Sequence, residues 1–170
     1  MKFFLRMSLL LVISTAVFAG KGDIEQTENI ISPDNEPYLN AVFGFSPFLG
    51  ILGIEYQNKN HAFGIGLPGM LSYKYYAKPY QDTKFWGVFV GGYSAEDVNR
   101  SVDGINYSDI KSRFIGAGIG YRWQWSSGWN TSVSLSLEYV TSDYSNPGTS
   151  QETTKSGAIP FPGVNVGYKF

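Results

Sequence analysis

The chain has 170 residues, enough for one domain. Charged residues are only 16% and aromatics also 16%, a balance unusual for a soluble domain of this size. A net charge of -1 gives no electrostatic reason to expect nucleic acid. The lack of cysteine excludes a disulfide framework, a thiolate metal site, a cysteine nucleophile and a lipoprotein attachment point.

The first segment reads as a secretory signal. Lys2 and Arg6 form a basic start, Met7 to Val17 is an apolar run, and Val17-Phe18-Ala19 puts small residues where signal peptidase reads them. Cleavage is expected between Ala19 and Gly20 after export through the Sec route. No later segment approaches the ~18 apolar residues of a membrane-spanning helix. Residues 20–36 are polar and acidic, with Asp23, Glu25, Glu28, Asp34 and Glu36 against Lys21, and read as a flexible lead-in on the periplasmic side.

From Pro37 onward the pattern changes to short alternating runs separated by turn residues. The eight runs are Tyr38–Phe45, Gly50–Gln57, His61–Leu67, Leu71–Tyr76, Lys84–Tyr93, Lys111–Trp123, Trp129–Thr141 and Ile159–Phe170. Ser46-Pro47, Asn58-Lys59-Asn60, Pro68-Gly69, Lys78-Pro79 and Ser126-Ser127-Gly128 mark turns between them. The remaining two connections, Ser94–Ile110 and Ser142–Ala158, are long and polar.

The seventh run is the clearest strand. Trp129, Thr131, Val133, Leu135, Leu137 and Tyr139 share one face, and Asn130, Ser132, Ser134, Ser136 and Glu138 the other. The sixth sets Ile115, Ala117, Ile119, Tyr121 and Trp123 against three glycines and Arg122. The second sets Leu52, Ile54 and Tyr56 against Gly53, Glu55 and Gln57, and the fourth sets Leu71, Tyr73 and Tyr75 against Ser72, Lys74 and Tyr76. The eighth sets Val164, Val166, Tyr168 and Phe170 against Gly163, Asn165, Gly167 and Lys169. The fifth is ambiguous: either Trp86, Val88 and Val90 or Phe85 and Phe89 could face outward.

This pattern predicts an all-β fold, an eight-stranded antiparallel up-and-down transmembrane β-barrel over residues 37–170. A soluble barrel would turn its apolar face inward and carry many Lys and Glu outside. Here the polar face is mostly Gly, Ser and Asn, which suits a narrow lumen. The apolar faces carry no charge between their ends, where a charge at the bilayer midplane costs ~2–4 kcal/mol. With a periplasmic N-terminus, both long connections fall outside and the periplasmic ones are short, as in outer-membrane barrels.

The chain thus resembles the small eight-stranded outer-membrane proteins of the OmpA/OmpX kind, over Pro37 to the C-terminus. The ending Val164-Asn165-Val166-Gly167-Tyr168-Lys169-Phe170 looks like the terminal signal of that class, with Val164, Val166, Tyr168 and Phe170 in phase. The resemblance implies the Gram-negative barrel-assembly machinery as a partner, with outer-membrane lipid and lipopolysaccharide as surroundings. A monomer without cofactor or metal is expected.

Glu55, Lys74, Arg122, Glu138 and Lys169 fall on the predicted inward faces. Buried charges must pair, so a lumenal network centred on Glu55, Glu138, Lys74 and Arg122 is expected to close a porin-like barrel. A small channel of the OmpW kind, passing small or apolar molecules, is the alternative. Barrels that modify lipid A rely on a histidine, in the deacylase as His-x-Ser with an acidic partner. The single histidine here stands in His61-Ala62-Phe63, lacks the serine and lies beside a predicted periplasmic turn. No catalytic residue is therefore assigned. The outer-loop acids Glu96, Asp97, Asp103, Asp109, Asp143 and Glu152 lack the spacing of a calcium loop and are read as solvated.

Overall fold

A computed structural model of the protein describes residues 36–146, 149 and 151–170. The expected signal, its cleavage after Ala19 and the lead-in up to Asn35 lie outside the described residues.

Among the described residues ten strands form: β1 Tyr38–Ser46, β2 Gly50–Asn58, β3 His61–Leu67, β4 Met70–Tyr76, β5 Thr83–Ala95, β6 Arg100–Val102, β7 Ile105–Tyr107, β8 Asp109–Gln124, β9 Trp129–Ser145 and β10 Glu152–Lys169. Eight of them close an antiparallel barrel in the order β1-β10-β9-β8-β5-β4-β3-β2, while β6 and β7 make a separate hairpin within the β5–β8 connection. The alternation of the sequence becomes two faces. Leu52, Ile54, Ile65, Ile119 and Leu135 are exposed on the outside, and Glu55, Gln57, Lys74, Arg122 and Asn130 are buried inside. The fifth strand is no longer ambiguous: Phe85 and Phe89 point inward, and Trp86, Val88 and Val90 outward.

The register fixes the geometry. One row of paired residues runs Ala41, Ile54, Ile65, Leu71, Val90, Ile115, Tyr139 and Ala158. It returns to Ala41 from Tyr168, ten residues further along β10 than Ala158. A shear of ten over eight strands tilts them by ~40° from the barrel axis.

The two ends of the barrel differ. At the lower end, which holds Tyr38 and Lys169, the strands finish nearly level. At the upper end they do not. With ~3.3 Å per residue and this tilt, β1–β4 rise only ~15–20 Å, whereas β5, β8, β9 and β10 rise ~30–40 Å. The connection expected at Ser142–Ala158 is mostly strand: β9 continues to Ser145 and β10 begins at Glu152, paired without a break. The polar composition of this stretch reflects a ladder clear of the apolar band rather than an irregular loop.

The turn between β1 and β2 is the other departure. Sequence marks Ser46-Pro47 as a breaker, and the Ser46 hydroxyl does accept a bond from the Phe48 amide at 3.2 Å. But the turn folds into the barrel, leaving Phe48 at 1% and Leu49 at 0% exposure. Gly50 ends it with φ 67°, a left-handed conformation that a side chain disfavours. The inward glycines of β3 make room beside it, and a Cβ on Gly66 would overlap the Leu49 carbonyl. Gly66→Ala is therefore expected to lower the urea midpoint by the equivalent of ~1–3 kcal/mol. Gly157→Ala, with nothing within 4 Å of its Cβ position, should leave the midpoint unchanged.

Candidate functional site

The lumen has a polar lower half and an apolar upper half. In the lower half, Glu55 on β2 is the shared acceptor. Lys74 Nζ donates to Glu55 Oε2 at 2.5 Å, and the Tyr76 hydroxyl donates to Oε1 at 2.9 Å. Arg122 Nη1 approaches Oε1 at 3.5 Å, and its guanidinium lies 3.8 Å over the Tyr76 ring. All four side chains are buried. One carboxylate thus serves two cations, Lys74 through a charge-assisted hydrogen bond and Arg122 through a longer ion-pair contact, so Glu55 is the partner the cluster shares.

Amides and hydroxyls fill the space around this cluster. Tyr38 donates to Gln57 Oε1 at 2.6 Å, Asn130 to Asn40 Oδ1 at 2.8 Å, and Ser132 to Asn165 Oδ1 at 2.8 Å. Lys169 stands near the lower rim, with its ammonium 4.7 Å from the Tyr38 ring centre and 5.6 Å from that of Tyr80. Glu138 does not join the cluster. It lies higher on β9, next to Ser136 Oγ at 3.4 Å, and no cation among the described residues reaches ion-pair distance. The strand tilt separates it from Glu55 by height, which inward phase alone cannot reveal.

In the upper half the inturned Phe48 meets Phe85 and Phe89 edge to face, with ring centres 5.7 and 5.3 Å apart. The Lys74 ammonium lies 5.3 Å from the Phe48 ring centre, so the two halves touch. Sequence reading missed this plug. The available signal was two large apolar residues in a connection, facing the inward glycines Gly53, Gly64 and Gly87 across the lumen.

Outside, aromatics ring the lower end. Tyr75 stacks on Trp86 at 5.8 Å, Tyr121 leans on Trp123 at 4.9 Å, and Trp129 meets Tyr168 edge-on at 5.1 Å. His61 belongs to this ring. Its Nδ1 pairs with the Tyr73 hydroxyl at 2.8 Å and its ring meets Tyr75 edge-on at 5.5 Å. Its surroundings are therefore aromatic, on the outer wall at the lower end.

At the upper end two of the acids, Asp143 and Asp103, are engaged by neighbours. Arg113 donates to Asp143 Oδ2 at 2.7 Å and Thr154 to Oδ1 at 2.8 Å. Lys155 donates to Asp103 at the hairpin tip at 2.5 Å, and Asn146 bonds both Ser108 and Asn106 at the hairpin base. Among the described residues no three His, Asp or Glu side chains converge as metal ligands. The bonds from Arg113 and then Thr154 hold the Asp143 carboxyl below its ordinary value. Whatever this contact contributes is present above the ordinary carboxylate range and is lost as pH falls through the lowered value. A carboxyl NMR titration should place the Asp143 midpoint below 3.8, and Arg113→Ala should raise it.

Comparison of the chain with family models, with curated proteins and with solved structures gives no match.

Proposed function

We propose that this protein is a non-enzymatic outer-membrane barrel, exported with cleavage after Ala19, that holds a filled lumen and presents its tall upper sheet and hairpin outside the cell. One observation carries the reading. On the outward face of β9, Trp129 to Tyr139 runs without a charge over a height of ~24 Å, close to the apolar band of outer-membrane barrels. An aromatic ring marks its lower edge, and Arg113 with Asp143 stands just above its upper edge. The lower end is then periplasmic.

In this setting outer-membrane lipid and lipopolysaccharide surround the wall. The barrel-assembly machinery reads the Val164–Phe170 ending. The hairpin and the β8–β10 extension supply a surface for structural or partner contacts. His61 lies at the periplasmic interface among aromatic rings, away from the outer leaflet, so no acyl-transfer role is assigned to it.

Cell fractionation tests the location. The protein should sediment with the outer membrane, resist extraction by urea, and require detergent or lipid to refold. A folded, detergent-free species in the soluble fraction would overturn the proposal. In planar bilayers the purified barrel should be silent; steady ion-selective channels would favour the channel alternative.

A further inference from the structure

The upper rim of the barrel is uneven, and its low side is also its most apolar. β3 and β4 have seven residues each and β1 and β2 nine, against thirteen to eighteen for the rest of the wall. From the register and tilt, the β1–β4 rim stops ~8 Å below the level of Arg113 and Thr141, where the outward face turns polar. The two turns on that rim, Ser46–Gly50 and Leu67–Leu71, hold no charged residue. Ile51 and Leu67 beside them are 57% and 60% exposed. The lower turns of the same strands carry Lys59, Lys78 and Asp82. A rim that met water would have no reason to reverse that distribution.

The free edges left by the low rim point the same way. Above Val164, β10 pairs with no strand on the β1 side among the described residues, and the contacts left there are Gly163 against Pro47 and the Phe161 ring stacked on Phe45 at 4.7 Å. Phe170 donates its amide to Leu39 of β1, and Lys169 donates to Gly128 on the β9 side. In a strand these directions alternate, so even-numbered residues of β10 face the free edge. The first two such positions are Pro162 and Pro160, which have no amide hydrogen to leave unpaired. On the opposite edge, Gly92 of β5 donates its amide to Gly69 at 3.3 Å, filling the donor next to the end of β4. Over the gap between the low rim and the polar level, neither edge presents an orphan amide donor, although the carbonyls of Pro160 and Pro162 still face the β10 edge. Removing the donors lowers the cost of placing this edge against hydrocarbon.

The inner face behind this gap carries large apolar side chains beside Ser136 and Glu138. Ile159 and Phe161 share the inward phase of Glu138 and Ser136, and Phe114 lies alongside on β8. Ile159 is 49% exposed. The inturned Phe48 and Leu49 form the floor.

We infer that the barrel opens sideways into the outer leaflet through the notch above β1–β4, and that the acyl chain of a membrane lipid enters it to pack on Ile159 and Phe161. The inference rests on the membrane reading above. Glu138, the one carboxylate on this face, stands where it could accept a hydrogen bond from the lipid's hydroxyl or amide.

The chain has no cysteine, so single-cysteine variants give unique labels. Leu67→Cys and Ile51→Cys report on the low rim, Ile54→Cys on the outer wall, Ser101→Cys on the outer hairpin and Ile159→Cys on the notch. Each is refolded into dioleoylphosphatidylcholine vesicles and kept only if its electrophoretic mobility still shifts on heating. Nitroxides at Leu67 and Ile51 should collide with oxygen in preference to a water-soluble nickel chelate, as at Ile54, and opposite to Ser101. A bimane at Ile159 should be quenched by brominated acyl chains well above the level seen at Ser101. If the Ile54 label is accessible to the chelate, the membrane reading itself fails. If Ile54 is lipid-exposed but Leu67 and Ile51 favour the chelate, the notch is overturned. Quenching at Ile159 no greater than at Ser101 overturns acyl access.

Discussion

Replacing Glu55 with glutamine is expected to cost the folded barrel ~3–5 kcal/mol, the range for breaking a buried ion pair by removing one partner. The substitution keeps volume and can still accept from Tyr76, so it isolates the charge. It leaves Lys74 and Arg122, 3% and 1% exposed, without the only carboxylate among the described residues that reaches either of them. Lys74→Met should cost distinctly less, because Glu55 and Arg122 then form a neutral pair and the methionine stem still packs on Phe48 and Phe85. Glu138→Gln, which removes a charge that no cation among the described residues pairs and can still accept the long bond from Ser136, should stay within ~1 kcal/mol of the parent. Equilibrium urea unfolding in lipid vesicles, followed by tryptophan fluorescence, gives all three values. If Lys74→Met proves at least as damaging as Glu55→Gln, one carboxylate serving two cations is the wrong description of the cluster.

The unequal fates of Glu55 and Glu138 show what the sequence could and could not convey. Both carboxylates lie on inward phases, because a period of two assigns faces without ambiguity wherever the outward residues are large and apolar. Faces are a local property. Height around a barrel is not, since it depends on the shear, and the shear is set by closure of all eight strands. Glu55, Lys74 and Arg122 meet because β2, β4 and β8 bring them to one level across the lumen. Glu138 shares their phase but stands several residues higher.

The fifth strand stays ambiguous in the sequence for a different reason. Phe85 and Phe89 are as apolar as Trp86 and Val88, so alternation carried no contrast there. Size resolves it in hindsight. Phe85 and Phe89 sit opposite Gly120 and Gly116 on β8, where a Cβ would collide with their rings. Paired large and small residues across neighbouring strands mark the inward face when polarity does not. The upper ends of β9 and β10 resemble a loop in the sequence because their outward residues are Asp143, Thr154 and Ser156. Polar outward residues end an apolar band, but they need not end a strand, and the backbone ladder continues there with side-chain bonds such as Thr154 to Asp143 across it.

Phe48→Ala is expected to destabilise the barrel by ~3–5 kcal/mol, the range for deleting a buried aromatic ring. For a residue in an ordinary outer turn the same substitution would stay within ~0.5 kcal/mol, so the measurement decides between a surface connection and a plug. The ring fills the space between Phe85 and Phe89 and covers Lys74, and its removal leaves a cavity that the surrounding sheet is too stiff to close. Phe48→Leu, which keeps most of the apolar volume, should recover a large part of the loss. Leu49→Ala should cost ~2–5 kcal/mol on the same grounds, since Leu49 is fully buried against Gly53 and Gly64. Urea unfolding in vesicles reads these values directly. The glycines opposite give the second half of the test. Gly64 has no function as a turn residue, and a Cβ there would meet the Leu49 side chain. Gly64→Ala should therefore be costly in the parent and much less so beside Leu49→Ala. Strictly additive losses would mean that the glycines are not there to seat the turn, and the upper lumen would then need another explanation for why so few of its inward residues are large.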